Sequence, residues 1–407
     1  MIRHTFKLIW NRKRRNILLM SEILLSFVVM FAVATAIITG LTRYLEPLGF
    51  SYESTWVLHL NRGGDLLDQA AEDSETRATL QRIRGELESQ PEIAGVSFIA
   101  SNYPYSHSTW STSFDWEGKK YGASVWLTDD DFAKVVGLTV LEGRWFNAED
   151  DASPRRAVVL NRQMKEELFG DESPIGKIQA DEGEDEERII VGVVENYRYK
   201  GEFEPHRGGF FERHEISDTA SDLPYAALLS VREGSDARVE EKILRRLAPV
   251  APDWTLRIET LTDARQTYLK DNLLQAGIFV TVAGFLVFNV ALGLFGVLWQ
   301  SINRRHGEIG LRRAVGASRG HIAGQILAES LVLATLAIAA GVLVAVQMPV
   351  LGLDSLLTGY EISVPGPVYA LAMACAAVMI YLLVSLCALY PSQLAARVQP
   401  AAALHDE

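Results

Sequence analysis

NLLQAGIFVTVAGFLVFNVALGLFGVLWQSIN, from Asn272 to Asn303, contains no Asp, Glu, Lys or Arg. A helix needs about 20 apolar residues to cross a hydrocarbon core of roughly 30 Å, and this stretch exceeds that length. Outward from it, three further stretches are equally free of charge: Ile23 to Thr42, Ser330 to Leu353 and Ile362 to Ala396. Buried helices of water-soluble cores are usually shorter and amphipathic, so four membrane spans are expected. The average composition of the 407-residue chain, with 22% charged residues, hides this segregation. The first stretch has features of a secretory signal, a basic start and the small-residue run Ala32-Val33-Ala34. A signal core is only about 7–15 residues long, so the stretch reads as a retained span.

Lysine and arginine near span ends set orientation. Arg3, Lys7, Arg12, Lys13, Arg14 and Arg15 precede the first span. Arg304, Arg305, Arg312, Arg313 and Arg319 lie between the second and third, and Arg397 follows the fourth. The link from Gln347 to Pro365 has no basic residue. This pattern puts both termini of a multi-pass membrane protein in the cytoplasm, with Tyr44 to Lys270 outside. The outer region carries about 43 acidic against about 26 basic residues. That imbalance favours solubility and argues against nucleic acid as a partner; membrane lipid is the partner the spans require. The two cysteines, Cys375 and Cys387, both fall in the fourth span. No disulfide framework therefore supports the outer region, and both read as apolar packing residues.

The outer region contains two similar half-units. Thr55 to Leu60 alternates as a strand, Ser74 to Gln90 has the spacing of a helix, and Ile93 to Ala100 is a second strand. Tyr225 to Val231, Ala237 to Leu247 and Trp254 to Ile258 repeat the strand–helix–strand order. Two such units separated by an insert, about 103–224, predict a split ferredoxin-like α+β subdomain. Within the insert, strands are expected at Ala123 to Leu127, Arg156 to Leu160 and Arg188 to Val194. Short helices are expected at Asp129 to Val136 and Arg162 to Phe169. The acidic run Asp181 to Glu187 reads as an exposed hairpin tip rather than a metal site. His206 and His214 fall in a polar loop rich in Gly and Phe, with no ligand partner at a recognisable spacing.

No catalytic signature is present: no G-x-x-x-x-G-K-[ST] phosphate loop, no H-E-x-x-H and no G-x-S-x-G. The chain is expected to have no enzymatic activity, no cofactor and no metal of its own. The informative segment is Asn303 to Gly320, between the second and third spans. Glu308 and Arg312 stand four apart and can pair on a helix. Ile309, Leu311, Ala314 and Val315 offer apolar surface. Gly316 can end that helix and Ser318 can cap the next. A short helix across the membrane face, held between two spans, would serve as a lever for a cytoplasmic partner. Ionisable groups within the spans are chiefly Glu22 and Glu329, candidates for intramembrane polar contacts. Gly277, Ala283, Gly284, Ala291, Gly293 and Gly296 give the second span a small-residue face suited to close helix approach in a dimer.

Several runs resemble one family, the MacB/FtsX-like ABC transporter permeases. Gln300-Ser301-Ile302-Asn303-Arg304-Arg305 with Glu308-Ile309-Gly310-Leu311-Arg312-Arg313-Ala314-Val315-Gly316-Ala317 resembles its coupling segment. Glu329 and Ser330 match positions in the next span, and Tyr390 to Leu404 is similar to the family's C-terminal signature. In the outer region, Gly137-Leu138 with Leu141-Glu142-Gly143-Arg144-Trp145-Phe146 resembles the periplasmic core. So do Val159-Leu160-Asn161 with Leu168-Phe169, Pro174-Ile175-Gly176-Lys177, and Val191-Gly192-Val193-Val194.

The resemblance implies an α-helical membrane protein of four transmembrane helices with an α+β extracytoplasmic domain. It implies a dimer of permeases, homomeric or heteromeric, working with two ABC ATPase subunits that bind ATP and Mg. It implies transmission of ATP-driven motion across the inner membrane rather than a substrate pore. Arg304, Arg305, Glu308, Ile309, Gly310, Arg312, Arg313, Ala314, Gly316 and Ala317 are then the coupling residues. Export of a peptide, antibiotic or other periplasmic substrate is the leading expectation; lipoprotein release and control of a cell-wall hydrolase are the alternatives. A periplasmic adaptor and an outer-membrane channel are left open. The expected organisation is a cytoplasmic amphipathic helix at 1–16, spans at 17–43, 271–300, 321–348 and 366–391, and a periplasmic core at 44–270. The coupling segment is 301–320, an outer loop 349–365 and a cytoplasmic tail 392–407.

Overall fold

The computed structural model describes residues 13–62, 69–179, 187–216, 222–232, 234–303, 309, 311–312, 314–351 and 364–395. The amphipathic segment expected at 1–16 falls mostly on 1–12, outside these residues, as do most of the acidic run 181–187 and the outer loop 349–365. The chain divides into two compact units, Arg43–Leu273 and the remainder, Met1–Thr42 with Leu274–Glu407.

Helix α1, Lys13–Leu45, is the first element among the described residues. In the first half of the sheet unit, β1 (Thr55–Arg62), α2 (Gln69–Glu88) and β2 (Ile93–Ile99) form one strand–helix–strand unit. β10 (Ala226–Val231), α5 (Ala237–Leu247) and β11 (Trp254–Thr260) form the other. Their sheet order is β11-β1-β10-β2, all antiparallel. Renumbered along the chain this is 4-1-3-2, the ferredoxin-like order that the two similar half-units predict. Leu80, Ile83 and Leu87 of α2 and Ile243 and Leu247 of α5 are buried together against Trp56, Leu58, Phe98 and Leu229 of this sheet.

The insert adds β3 (Ser111–Trp116), β4 (Lys119–Thr128), α3 (Phe132–Val136), β5 (Val140–Gly143), β6 (Arg156–Asn161), α4 (Arg162–Phe169), β7 (Ile178–Gln179), β8 (Arg188–Val194) and β9 (Gly209–Arg213). The sheet continues β2-β4-β9-β6-β8-β5, with β3 beside β4 and β7 beside β8. The stretch read as a polar loop around His206 and His214 contains β9. Its Phe210 and Phe211 are fully buried, and it pairs parallel with β4 and antiparallel with β6. Gly209 lets the chain pass under the Trp126 ring, where a Cβ would collide. α3 starts later than expected because Asp129 is turned inward. Its carboxylate accepts from Ser97 Oγ at 2.6 Å and Phe98 N at 2.8 Å, and pairs with Arg84. Burial holds the Asp129 carboxyl above its usual range.

Three long helices follow among the described residues: α6 (Leu261–Asn303), α7 (Arg319–Val350) and α8 (Gly366–Ala395). With α1 they are long and apolar enough to cross a membrane, by length and composition. Their common core contains Ile23, Phe27 and Phe31 of α1, Leu294 and Leu298 of α6, Ala334 and Ala337 of α7, and Ala372, Ile380 and Val384 of α8. Charge had set the outer limit of the second span near 271, but its helix begins at Leu261. Thr260 caps it, accepting from Asp263 N at 3.0 Å and donating back to the Asp263 carboxylate at 2.8 Å. At ~1.5 Å per residue the helix is roughly 65 Å long, about twice a bilayer core.

Candidate functional site

The bend between α6 and α7 is built by punctuation residues. Ile309, Leu311, Arg312 and Ala314 are helical. Gly316 then takes φ +103°, a left-handed conformation that glycine adopts without strain. Val315 N donates to Leu311 O at 3.1 Å and Ala317 N to Arg312 O at 3.0 Å, closing the short helix. Ser318 caps α7, its Oγ accepting from His321 N at 3.2 Å.

The short helix has an anchored side and an open side. Ile309, 5% exposed, packs with Ile322 and Ile326 of α7 and with Ala317. Arg312 Nη1 donates to Gln325 Oε1 at 3.0 Å, and Gln325 Nε2 donates to Glu329 Oε1 at 3.2 Å. Leu311 and Val315 face outward, 59% and 83% exposed, with Ala314 beside them. Ile309 and Arg312 thus seat the short helix on α7, while Leu311 and Val315 are left open. Of the predicted coupling residues, Ile309, Arg312, Ala314, Gly316 and Ala317 come together here. Arg304, Arg305, Glu308, Gly310 and Arg313 lie outside the described residues, so the Glu308–Arg312 pair is not among the contacts described.

Gln325, which was not among the predicted coupling residues, joins Arg312 to Glu329. Its signal was its i,i+4 relation to Glu329, which puts both on one face of α7. At the C-terminal end of α6, Trp299 stacks on Phe295 and on Tyr390 of α8, with ring centroids 5.9 and 6.1 Å apart. These amphipathic rings fix the root from which the bend departs. Glu22 of α1 lies against Gly293 of α6, where any Cβ would collide with its carboxylate. On the predicted small-residue face, Gly293 thus seats a side chain of the same chain. Gly277, Gly284 and Gly296 are exposed, with open space where a Cβ would stand. Cys375 and Cys387 are free thiols, and no group of three metal-ligating side chains occurs among the described residues.

Two family descriptions match the chain: "MacB-like periplasmic core domain" over residues 20–249 and "FtsX-like permease C-terminal" over residues 280–400. The macrolide export ATP-binding/permease protein MacB of Chromobacterium violaceum is 28% identical over 70% of this chain, but over only 44% of its own length. The chain thus spans less than half the length of such curated relatives. The uncharacterized ABC transporter permease YvrN of Bacillus subtilis is 23% identical over 100% of this chain and 99% of its own. Among solved structures, the periplasmic region of MacB from Actinobacillus actinomycetemcomitans aligns with 55% of this chain and 96% of its own, at 17% identity and a TM-score of 0.36.

Proposed function

The chain belongs to the ABC transporter permeases of the MacB/FtsX type, and from that premise we propose that it carries ATP-driven motion from a cytoplasmic ATPase to its extracytoplasmic sheet domain. The bend between α6 and α7 is the input. The observation that carries this reading is its two-sidedness: Ile309 and Arg312 are fixed to α7 while Leu311 and Val315 lie open. An exposed apolar pair backed by a rigid seat is what a docking lever needs, since only a seated helix passes on displacement instead of absorbing it.

In this reading an ABC ATPase binds ATP and Mg, and two permeases, identical or related, act together. Both termini and the bend are cytoplasmic, as the arginine distribution of the sequence supports. The spans hold few ionisable groups, which supports relay of movement over a polar substrate path. The product of the cycle is export of a substrate from the outer face. The name of the Chromobacterium violaceum relative, a macrolide exporter, favours export over lipoprotein release or hydrolase control.

Co-purification with the cognate ABC ATPase and measurement of turnover in nanodiscs test the assignment. Leu311→Asp and Val315→Asp are expected to weaken assembly by at least about tenfold, equivalent to ~1.4 kcal/mol. Unchanged assembly and turnover in both variants would remove the bend as the input.

A further inference from the structure

The loop between β8 and β9 does far more than connect two strands. Arg198 lies within it, only 2% exposed, and donates to main-chain carbonyls rather than to carboxylates. Its Nη1 reaches Glu46 O at 3.0 Å; its Nε and Nη2 reach Glu204 O at 3.1 and 2.8 Å, and Nη2 also bonds Glu202 O. The Arg198 amide donates to Leu48 O at 3.0 Å. His206 Nε2 stands 3.1 Å from a Glu46 carboxylate oxygen, and a Cβ on Gly49 would strike Asn196 O. The loop therefore holds the chain that leaves α1.

The same loop holds the start of α6. Glu202, 4% exposed, accepts from Arg265 Nε at 2.5 Å, and Arg265 lies over the Tyr52 ring at 4.6 Å. The Phe203 ring sits between Tyr44 of α1 and Tyr268 of α6, centroids 5.7 and 6.4 Å away. Gly201, at φ +99°, is pressed so close to Tyr268 and Tyr105 that a Cβ would overlap both rings. All of these residues belong to the sheet unit. The loop then runs into β8 and β9, the strands paired on either side of β6 at the centre of the insert.

Helix α6 is covalently continuous with β11 and so with the ferredoxin-like half. The insert has no such direct covalent link to either helix root; the loop's polar and aromatic contacts supply one. We infer that the loop Asn196–His206 is the joint that delivers movement of the two helix roots to the insert, with Arg198, Glu202 and Arg265 as its positioning residues. The inference rests on the relay reading above and assigns it an exit. An arginine bonded to carbonyls holds backbone to backbone, which suits a joint under load. The Glu202–Arg265 pair ties the loop to α6 with a charge-assisted bond that substitution can reverse.

The test uses the full chain with its ABC ATPase in nanodiscs, in a Cys375→Ser, Cys387→Ser background. Spin labels at Glu117, in the β3–β4 turn, and at Glu241 on α5 read the insert against the ferredoxin-like half. Trapping with ATP and vanadate is expected to shift the label distance. Glu202→Arg and Arg265→Glu are each expected to abolish that shift while ATP turnover continues, and the double swap to restore it. Glu202→Gln, which preserves the side chain's shape, is expected to reduce the shift. A full shift in both single variants overturns the joint. Loss that the swap does not repair assigns the pair a merely structural role and also overturns it. A wild-type complex that turns over ATP with no shift overturns the relay reading instead.

Discussion

His59 illustrates how one side chain couples the sheet unit to pH. It lies on β1, 3.2 Å from the Glu259 carboxylate and 3.1 Å from Arg257 Nη2, with the Tyr103 hydroxyl 3.5 Å from its other nitrogen. Burial first, and the Arg257 charge second, hold its imidazole below the ordinary value of 6.5, outweighing Glu259. The unfolded chain therefore takes up this proton at a higher pH than the folded one. Stability from this group is full above 6.5 and is lost as pH falls through that value toward the folded pKa. Urea unfolding of the full chain followed by sheet-unit fluorescence checks this. His59→Gln is expected to flatten the loss between pH 7.5 and 5.5 relative to wild type; parallel curves would show that His59 does not contribute. Spacing alone could not find this cluster, since His59 and Glu259 are 200 positions apart and meet only through the β1–β11 register.

At the scale of elements, legibility followed burial pattern. The strands of the ferredoxin-like half are short apolar runs and its helices keep one apolar face, so both were readable, and their 4-1-3-2 order follows from the repeat. β9 and β5 were not. β9 is short and begins with a glycine, and β5 is an exposed edge strand of four residues that lacks an apolar face. β5 belongs to a composite edge in which two segments meet along β8. Gly176 N donates to Ile190 O at 2.8 Å, and Arg144 N to Val191 O at 3.0 Å. Gly143 and Gly176 take φ +66° and +79°, and Gly192 passes so close to the Arg144 carbonyl that a Cβ would overlap it. This gives physical content to three of the motif glycines, which shape an edge of the sheet. Gly192→Ala is expected to destabilise the sheet unit by about 2 kcal/mol, the scale of overpacking without room to relax. A shift of the urea midpoint with unchanged slope checks it; an unchanged midpoint would mean that the edge yields freely. The bend was readable in outline, since Gly316 and Ser318 are strong boundary signals. Its seat was less so, because the pairing of Arg312 with Gln325 depends on how the chain turns between them.

For the whole molecule, charge segregation revealed four spans and one large acidic region, and the structure resolves them into two compact units. The second span's helix proved longer than its apolar stretch, because hydropathy reports the thickness of the solvent and not the length of the helix. That continuity of α6 and the loop that grips its outer root form the proposed route from the bend to the sheet. Hydrogen–deuterium exchange of the permease–ATPase complex, compared without nucleotide and with ATP plus vanadate, follows both ends at once. Exchange is expected to change at residues 309–317 and, in the same complex, at 196–206, and both changes are expected to vanish in Val315→Asp. A complex that hydrolyses ATP and alters exchange at the bend, yet leaves 196–206 and the insert as they were, would contradict the account.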